Sequence, residues 1–313
     1  MTMSLPGSAA IAIAPALSCH AQVDIEARPR RPSPDAPRPN LRVDTNLVLV
    51  PVSVTDPMNR SVTGLEAENF RLFDNGQEQS IGRFFKEDEP VAVGFLFDSS
   101  GSMAGKLDRS RTAARAFSQA ANPEDQFCLV TFDSSPRLLT PLTRDIGDVE
   151  NQILFSRTHG STALLDAILL GLSEIRKSKQ NKRALLLISD GGDNNSRHSE
   201  KEVRRVMQEA DVLIYAIGVF GDAKSPEEAE GPALMNRIAE STGGRLFNTG
   251  WAEIPDIARA ISLELRNRYV LGFYPRDLKP DGRYHRLQVK MVSPPGLPPL
   301  QAHWRSGYYA PAQ

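Results

Sequence analysis

The chain has 313 residues, 37 of them basic and 38 acidic, for a formal net charge of −1. So even a balance argues against nucleic acid or an anionic membrane surface as an electrostatic partner. No apolar run approaches the ~20 residues that cross a bilayer, so no integral membrane segment is expected. The length suits one sizeable core and a smaller second one.

Leu5 to Leu17 is a small-residue and apolar stretch followed by Ser18-Cys19-His20-Ala21, a small-x-small pattern like a signal-peptidase site. It predicts a signal peptide over 1–21 and a secreted or cell-envelope protein. The stretch has no Lys or Arg ahead of it and is interrupted by Pro6, Gly7 and Pro15, so an unstructured leader is the competing reading. Residues 22–40 carry Pro29, Pro32, Pro34, Pro37 and Pro39 with almost nothing to bury, which predicts an extended linker. Cys19 and Cys128 are the only cysteines. No disulfide framework is expected, and Cys128, inside the apolar run Phe127 to Val130, reads as a buried thiol.

From 41 to 89 the pattern is that of short strands: Leu47 to Val54, Phe70 to Phe73, then the hairpin turn Asp74-Asn75-Gly76 and the run to Phe85. From 90 to 268 strands and helices alternate. Val91 to Phe97 is an unbroken apolar run, the mark of a strand buried on both faces of a parallel sheet. Helix Lys106 to Ala121, strands Gln126 to Phe132 and Arg137 to Leu142, and a helical pattern on Ile146, Val149 and Ile153 follow. Next come helix Ala163 to Ile175, strands Ala184 to Ile188 and Val212 to Val219, a helix near Pro232 to Ser241, strand Arg245 to Asn248 and helix Ala252 to Arg268. Repeated βα units of this kind predict a doubly wound, mostly parallel α/β sheet covered on both faces. From 269 to 313 the reading returns to strands: Tyr269 to Tyr274, Tyr284 to Val292 and Leu300 to Tyr309. These need partners, and pairing with the strands of 41–89 would make one accessory β-sandwich from both flanks.

At the carboxyl end of the central apolar run stand Asp98, Ser100 and Ser102, alternate residues on a loop that opens into a helix. Strand carboxyl ends are where open α/β sheets bind ligands. A carboxylate and two hydroxyls there suit chemistry or a metal, although capping and loop satisfaction would use the same residues. Asp98-x-Ser100-x-Ser102, with Thr162 in Gly160-Ser-Thr-Ala-Leu164 and Asp190 in Ile188-Ser-Asp-Gly191, resembles the metal-ion-dependent adhesion site of the von Willebrand factor A family. In a sheet of order 3-2-1-4-5-6 the strands carrying Asp98 and Asp190 are neighbours at the switch point. Asp193, Asn194 and Asn195 extend the Asp190 loop and read as a polar surface loop, with lining of the site's rim as the alternative.

The resemblance implies Mg²⁺, with Mn²⁺ or Ca²⁺ as substitutes, bound by the hydroxyls of Ser100, Ser102 and Thr162, with Asp98 and Asp190 acting largely through water. It implies a partner protein whose Asp or Glu carboxylate completes the shell, and hence a binding module rather than an enzyme. The segments Arg268-Tyr269-Val-Leu-Gly272 and Arg305-Ser-Gly-Tyr-Tyr309 are similar to the tail of bacterial, predicted-secreted relatives of that family. The alternatives are a Mg²⁺-dependent phosphohydrolase and a structural scaffold with a vestigial site. A dehalogenase-like phosphatase needs an acid where Ser100 stands, a serine hydrolase wants a Gly-x-Ser-x-Gly that is absent, and the histidines show no ligand spacing.

Overall fold

The apolar run ahead of Asp98 is buried along its whole length, Val91–Asp98, and the fold is built outward from it. The computed structural model describes residues 47–311 except 88, 222–225, 249–253 and 277–280, all within the unit Asp44–Gln313. The expected signal peptide and Pro-rich linker lie outside the described residues.

The first flank supplies β1 (Val48–Thr55), β2 (Phe70–Asp74), β3 (Gln77–Gln79) and β4 (Arg83–Glu87). The middle of the chain supplies β5 (Val91–Asp98), α1 (Leu107–Gln119), β6 (Gln126–Phe132), β7 (Pro136–Thr143), α2 (Ile146–Leu154) and α3 (Leu164–Ile175). It continues through β8 (Lys182–Ser189), α4 (Glu200–Ala210), β9 (Leu213–Gly218), α5 (Pro226–Thr242), β10 (Leu246–Asn248) and α6 (Ile254–Arg266). The second flank supplies β11 (Arg268–Phe273), β12 (Tyr284–Met291), β13 (Gln301–Trp304) and β14 (Gly307–Tyr309).

The central sheet has the order β10-β9-β8-β5-β6-β7, parallel except for the antiparallel edge strand β7. β5 alternates between two cores. Val91, Val93, Phe95 and Phe97 join one with residues of α1, α2 and α6, while Ala92 and Leu96 join the other with residues of α3, α4 and α5. Burying each large apolar side chain contributes about 1.5–3 kcal/mol, so a strand apolar on both faces is stable only with helices on both. The β5–β8 pairing places Asp98 and the Asp190 loop side by side at one end of the sheet. Cys128 is fully buried in the second core, and burial pushes its thiol up to about 12, outside the reactive range.

The flanking strands form two antiparallel sheets, β13-β1-β11-β4 and β14-β12-β2-β3, each mixing strands from before and after the α/β region. They enclose one core that includes Val50, Val52, Leu72, Tyr269, Leu271, Leu287 and Val289. The β2–β3 turn has φ of 49° at Asn75 and 82° at Gly76, the two positive values that an Asn-Gly hairpin turn provides.

Three details differ from the sequence reading. Helix α4 was not anticipated, although Ser199 and Glu202 form a capping box at its start. Helix α5 begins at Pro226 and runs through Pro232 rather than starting near it. Leu300 to Tyr309 is two strands, because the chain turns at Arg305-Ser306 and passes from β1's sheet to β12's.

Candidate functional site

Asp98 ends β5 with no exposed surface. Its Oδ1 accepts the Ser100 N–H at 2.9 Å and its Oδ2 accepts the Ser189 hydroxyl at 2.5 Å. The turn at Gly101–Met103, anchored by the buried Met103, brings the Ser102 hydroxyl to 3.0 Å from that of the buried Ser100. Burial pushes the Asp98 carboxyl up to about 7, and the charge of Asp190 pushes the same way against the hydrogen bond from Ser100.

Asp190 follows β8 and is 2% exposed. Its Oδ2 accepts Lys106 Nζ at 2.7 Å, while its Oδ1 is buried without a hydrogen-bond partner. The loop turns at Gly191 with φ of 86°, and a Cβ there would meet the Gly231 backbone at 2.6 Å. The glycine is required twice, by the left-handed backbone and by the close approach of α5.

Thr162 is 3% exposed and connects to the others through backbone. Its loop meets the serine loop through Gly101 N–H to Gly160 O at 3.0 Å and His159 N–H to Ser99 O at 2.9 Å. Its own N–H donates to Asn194 Oδ1 at 2.9 Å, and its carbonyl accepts the N–H groups of Asn194 and Asn195. Asp193 Oδ1 accepts the Leu164 N–H and the Ser196 hydroxyl at the start of α3. The polar run 193–195 therefore holds the Thr162 loop in place, a role that its reading as a polar surface loop did not specify.

Asp98, Ser100 and Ser102 thus meet directly, Asp190 lies beside them in the loop after the neighbouring strand, and Thr162 is tied in by loop bonds. Sequence reasoning missed Lys106 and Ser189. The described histidines are occupied locally: His159 with Asp133, His198 with Asp166, His285 with Asp74 and His303 with Thr55. Among the described residues no three His, Cys, Asp or Glu side chains form a metal-binding group. The candidate donors are two carboxylates and three hydroxyls, an all-oxygen set that fits a hard divalent cation rather than a soft one. The unpartnered Asp190 Oδ1 fits it too, since a buried carboxylate oxygen without a hydrogen-bond donor can take a cation.

A family model described as von Willebrand factor type A domain matches residues 93–192. The inter-alpha-trypsin inhibitor heavy chain H4 of Bos taurus is 27% identical over 172 residues, 50% of this chain and 18% of that protein. An uncharacterized protein of Borreliella burgdorferi is 25% identical over 166 residues, 47% of this chain and 48% of that protein. The chain therefore spans less than half the length of these two relatives. A solved von Willebrand factor type A structure from Catenulispora acidiphila superposes with a TM-score of 0.49 at 13% identity, covering 76% of this chain and 73% of the other. Among the described residues no helix is long and apolar enough to cross a membrane.

Proposed function

Because the chain contains a von Willebrand factor type A domain, we propose that it is a divalent-cation-dependent protein-binding module of a bacterial cell envelope and not an enzyme. The observation that carries this reading is Asp190 Oδ1, a buried carboxylate oxygen without a partner beside the buried Asp98 and the Ser100–Ser102 hydroxyl pair. In this reading Ser100, Ser102 and Thr162 offer hydroxyl oxygens, and Asp98 and Asp190 the negative charge, that hold Mg²⁺, Mn²⁺ or Ca²⁺. A hard cation held mainly by neutral oxygens supplies a seat for one more anionic oxygen. An Asp or Glu side chain of a partner protein is a ligand of that class. The envelope location rests on the signal-like stretch before Ala21.

Both oxygens of Asp98 are engaged by neighbours, which disfavours its use as a nucleophile in a phosphohydrolase. The test is calorimetric titration with Mg²⁺, expected to give one site that Ser100→Ala loses. Capture from envelope extracts should then recover a partner with Mg²⁺ but not with EDTA or Ser100→Ala. A wild-type protein that binds no Mg²⁺ sinks the reading, and turnover on a phosphatase panel that Asp98→Ala abolishes would replace it with the enzyme.

Lys106 enters this reading as a built-in counter-cation. Its ammonium is largely buried against Asp190 and repels a divalent ion in the same cleft. Lys106→Met is expected to tighten Mg²⁺ binding roughly tenfold, measured by the same titration. Unchanged or weaker binding would mean that the lysine orients Asp190 rather than opposing the cation.

A further inference from the structure

A second cleft lies at the other end of β8. It has a volume of about 430 Å³ and opens between the sheet β13-β1-β11-β4 and the N-terminal ends of β8 and β9. Arg183 and Asp190 are separated by seven positions along β8, about 23 Å at ~3.3 Å per residue, so the cleft is distinct from the Asp98 site. Three arginines from three elements line it: Arg183 on β8, Arg268 at the start of β11 and Arg305 between β13 and β14.

Their surroundings are unequal. Arg305 bonds Asp211 Oδ1 at 3.2 Å and the Leu49 carbonyl at 2.7 Å. Arg183 is half-buried, its Nε is fully buried without an acceptor, and among the described residues nothing forms a hydrogen bond or ion pair with it. The described acids on the lining do not answer it, since Asp211 faces Arg305 and Glu89 accepts from Asn181 Nδ2 at 3.1 Å. An arginine Nε–H withdrawn from water without an acceptor is costly. The remaining wall is apolar: Leu49, Pro51, Phe85 and Val270 line it from the face of the sheet turned away from the sandwich core. Leu49 and Phe85 are 40% and 43% exposed.

We propose that this cleft binds a small organic anion, a carboxylate on an apolar body, with Arg183 as the cation that receives the carboxylate. Arginine presents its donors as a planar fork that matches a carboxylate, and clefts between layers with apolar walls and a few convergent polar groups are where small ligands bind. The carboxylate can come from an alkanoic acid or from the free C-terminus of an apolar peptide. A cleft of about 430 Å³ admits either, and the carboxylate on an apolar body is common to both.

The experiment titrates the full chain in EDTA with octanoate, with N-acetyl-Leu-Leu and with N-acetyl-Leu-Leu-amide. Saturable binding of octanoate or of the peptide acid is expected, and which of the two binds identifies the source. Arg183→Met should weaken that binding about tenfold or more, Arg71→Met on β2 of the other flanking sheet should not, and inorganic phosphate should not compete. The proposal is overturned if neither carboxylate binds, if the amide binds as well as the acid, or if Arg183→Met binds like the wild type with an unchanged melting curve. The acid-against-amide comparison needs no variant, so misfolding of Arg183→Met leaves the proposal open to refutation.

Discussion

Asp98→Asn is expected to move function and stability in opposite directions. Mg²⁺ affinity should fall roughly 100-fold or more, because a charged oxygen at the centre of the donor set is lost. The metal-free protein should become more stable at neutral pH. The folded protein holds the Asp98 carboxyl up to about 7 against an ordinary 3.8, through burial first and Asp190 second. Between those values the folded chain keeps a proton that the unfolded chain has released. Stability of the metal-free wild type therefore falls as pH rises through this window and levels off above it. Each pKa unit corresponds to ~1.4 kcal/mol, so the amide should recover on the order of a few kcal/mol at pH 8. The asparagine keeps the acceptor for the Ser100 N–H. Thermal melts from pH 4 to 8 in EDTA should show a wild-type decline that the variant lacks, and saturating Mg²⁺ should remove the wild-type decline. A variant that is less stable at every pH yet still binds Mg²⁺ would show that Asp98 is a structural cap.

How much of this site could be read beforehand depended on where each residue's signal lies. Asp98, Ser100 and Ser102 are alternate residues within one short stretch and follow a run that only a doubly covered strand explains, so their place was legible from pattern alone. Thr162 and Asp190 needed the resemblance, because one threonine in a loop and one aspartate after a strand say little singly. Lys106 left no signal: a lysine ahead of a helix is ordinarily solvated, and only the fold reveals that its ammonium reaches Asp190. In the accessory sheets the partnering of both flanks was legible because three leftover strands required neighbours. The break at Arg305-Ser306 was not, since β13 and β14 read as one alternating run until their partners in different sheets are known. Helix α4 was legible in principle: Ser199-x-x-Glu202 announces it, and Val203, Met207 and Ala210 mark its buried stripe. Its many charged residues obscured that stripe.

Glu264→Ala is expected to cost roughly 3–5 kcal/mol, the scale for stripping one partner from a buried ionic cluster. Glu264 lies on α6 with no exposed surface. Its Oε1 accepts the Ser53 hydroxyl at 2.6 Å and the Tyr215 hydroxyl at 2.9 Å, and its Oε2 accepts Arg245 Nε at 3.1 Å and Nη2 at 2.7 Å. Arg245 in turn bonds Asn59 Oδ1 at 2.7 Å and stacks over Phe247. One carboxylate therefore joins α6 and β9 of the α/β region to β1 and the loop after it in the accessory module. The alanine would leave the Arg245 charge buried with, among the described residues, Asn59 as its side-chain hydrogen-bond acceptor, and two hydroxyls without theirs. Urea unfolding followed by circular dichroism measures the loss. Replacing the charge together with its partner, as Glu264→Leu with Arg245→Leu, should recover part of it, because neither charge is then left unpaired. Ser53→Ala should act non-additively with Glu264→Ala, since both remove the same bond across the junction. A loss below about 1 kcal/mol for Glu264→Ala, within the range of an ordinary surface pair, would mean that apolar contact alone fastens α6 to the accessory module. The two chain crossings, from β4 into β5 and from α6 into β11, would then be the covalent routes between the two regions.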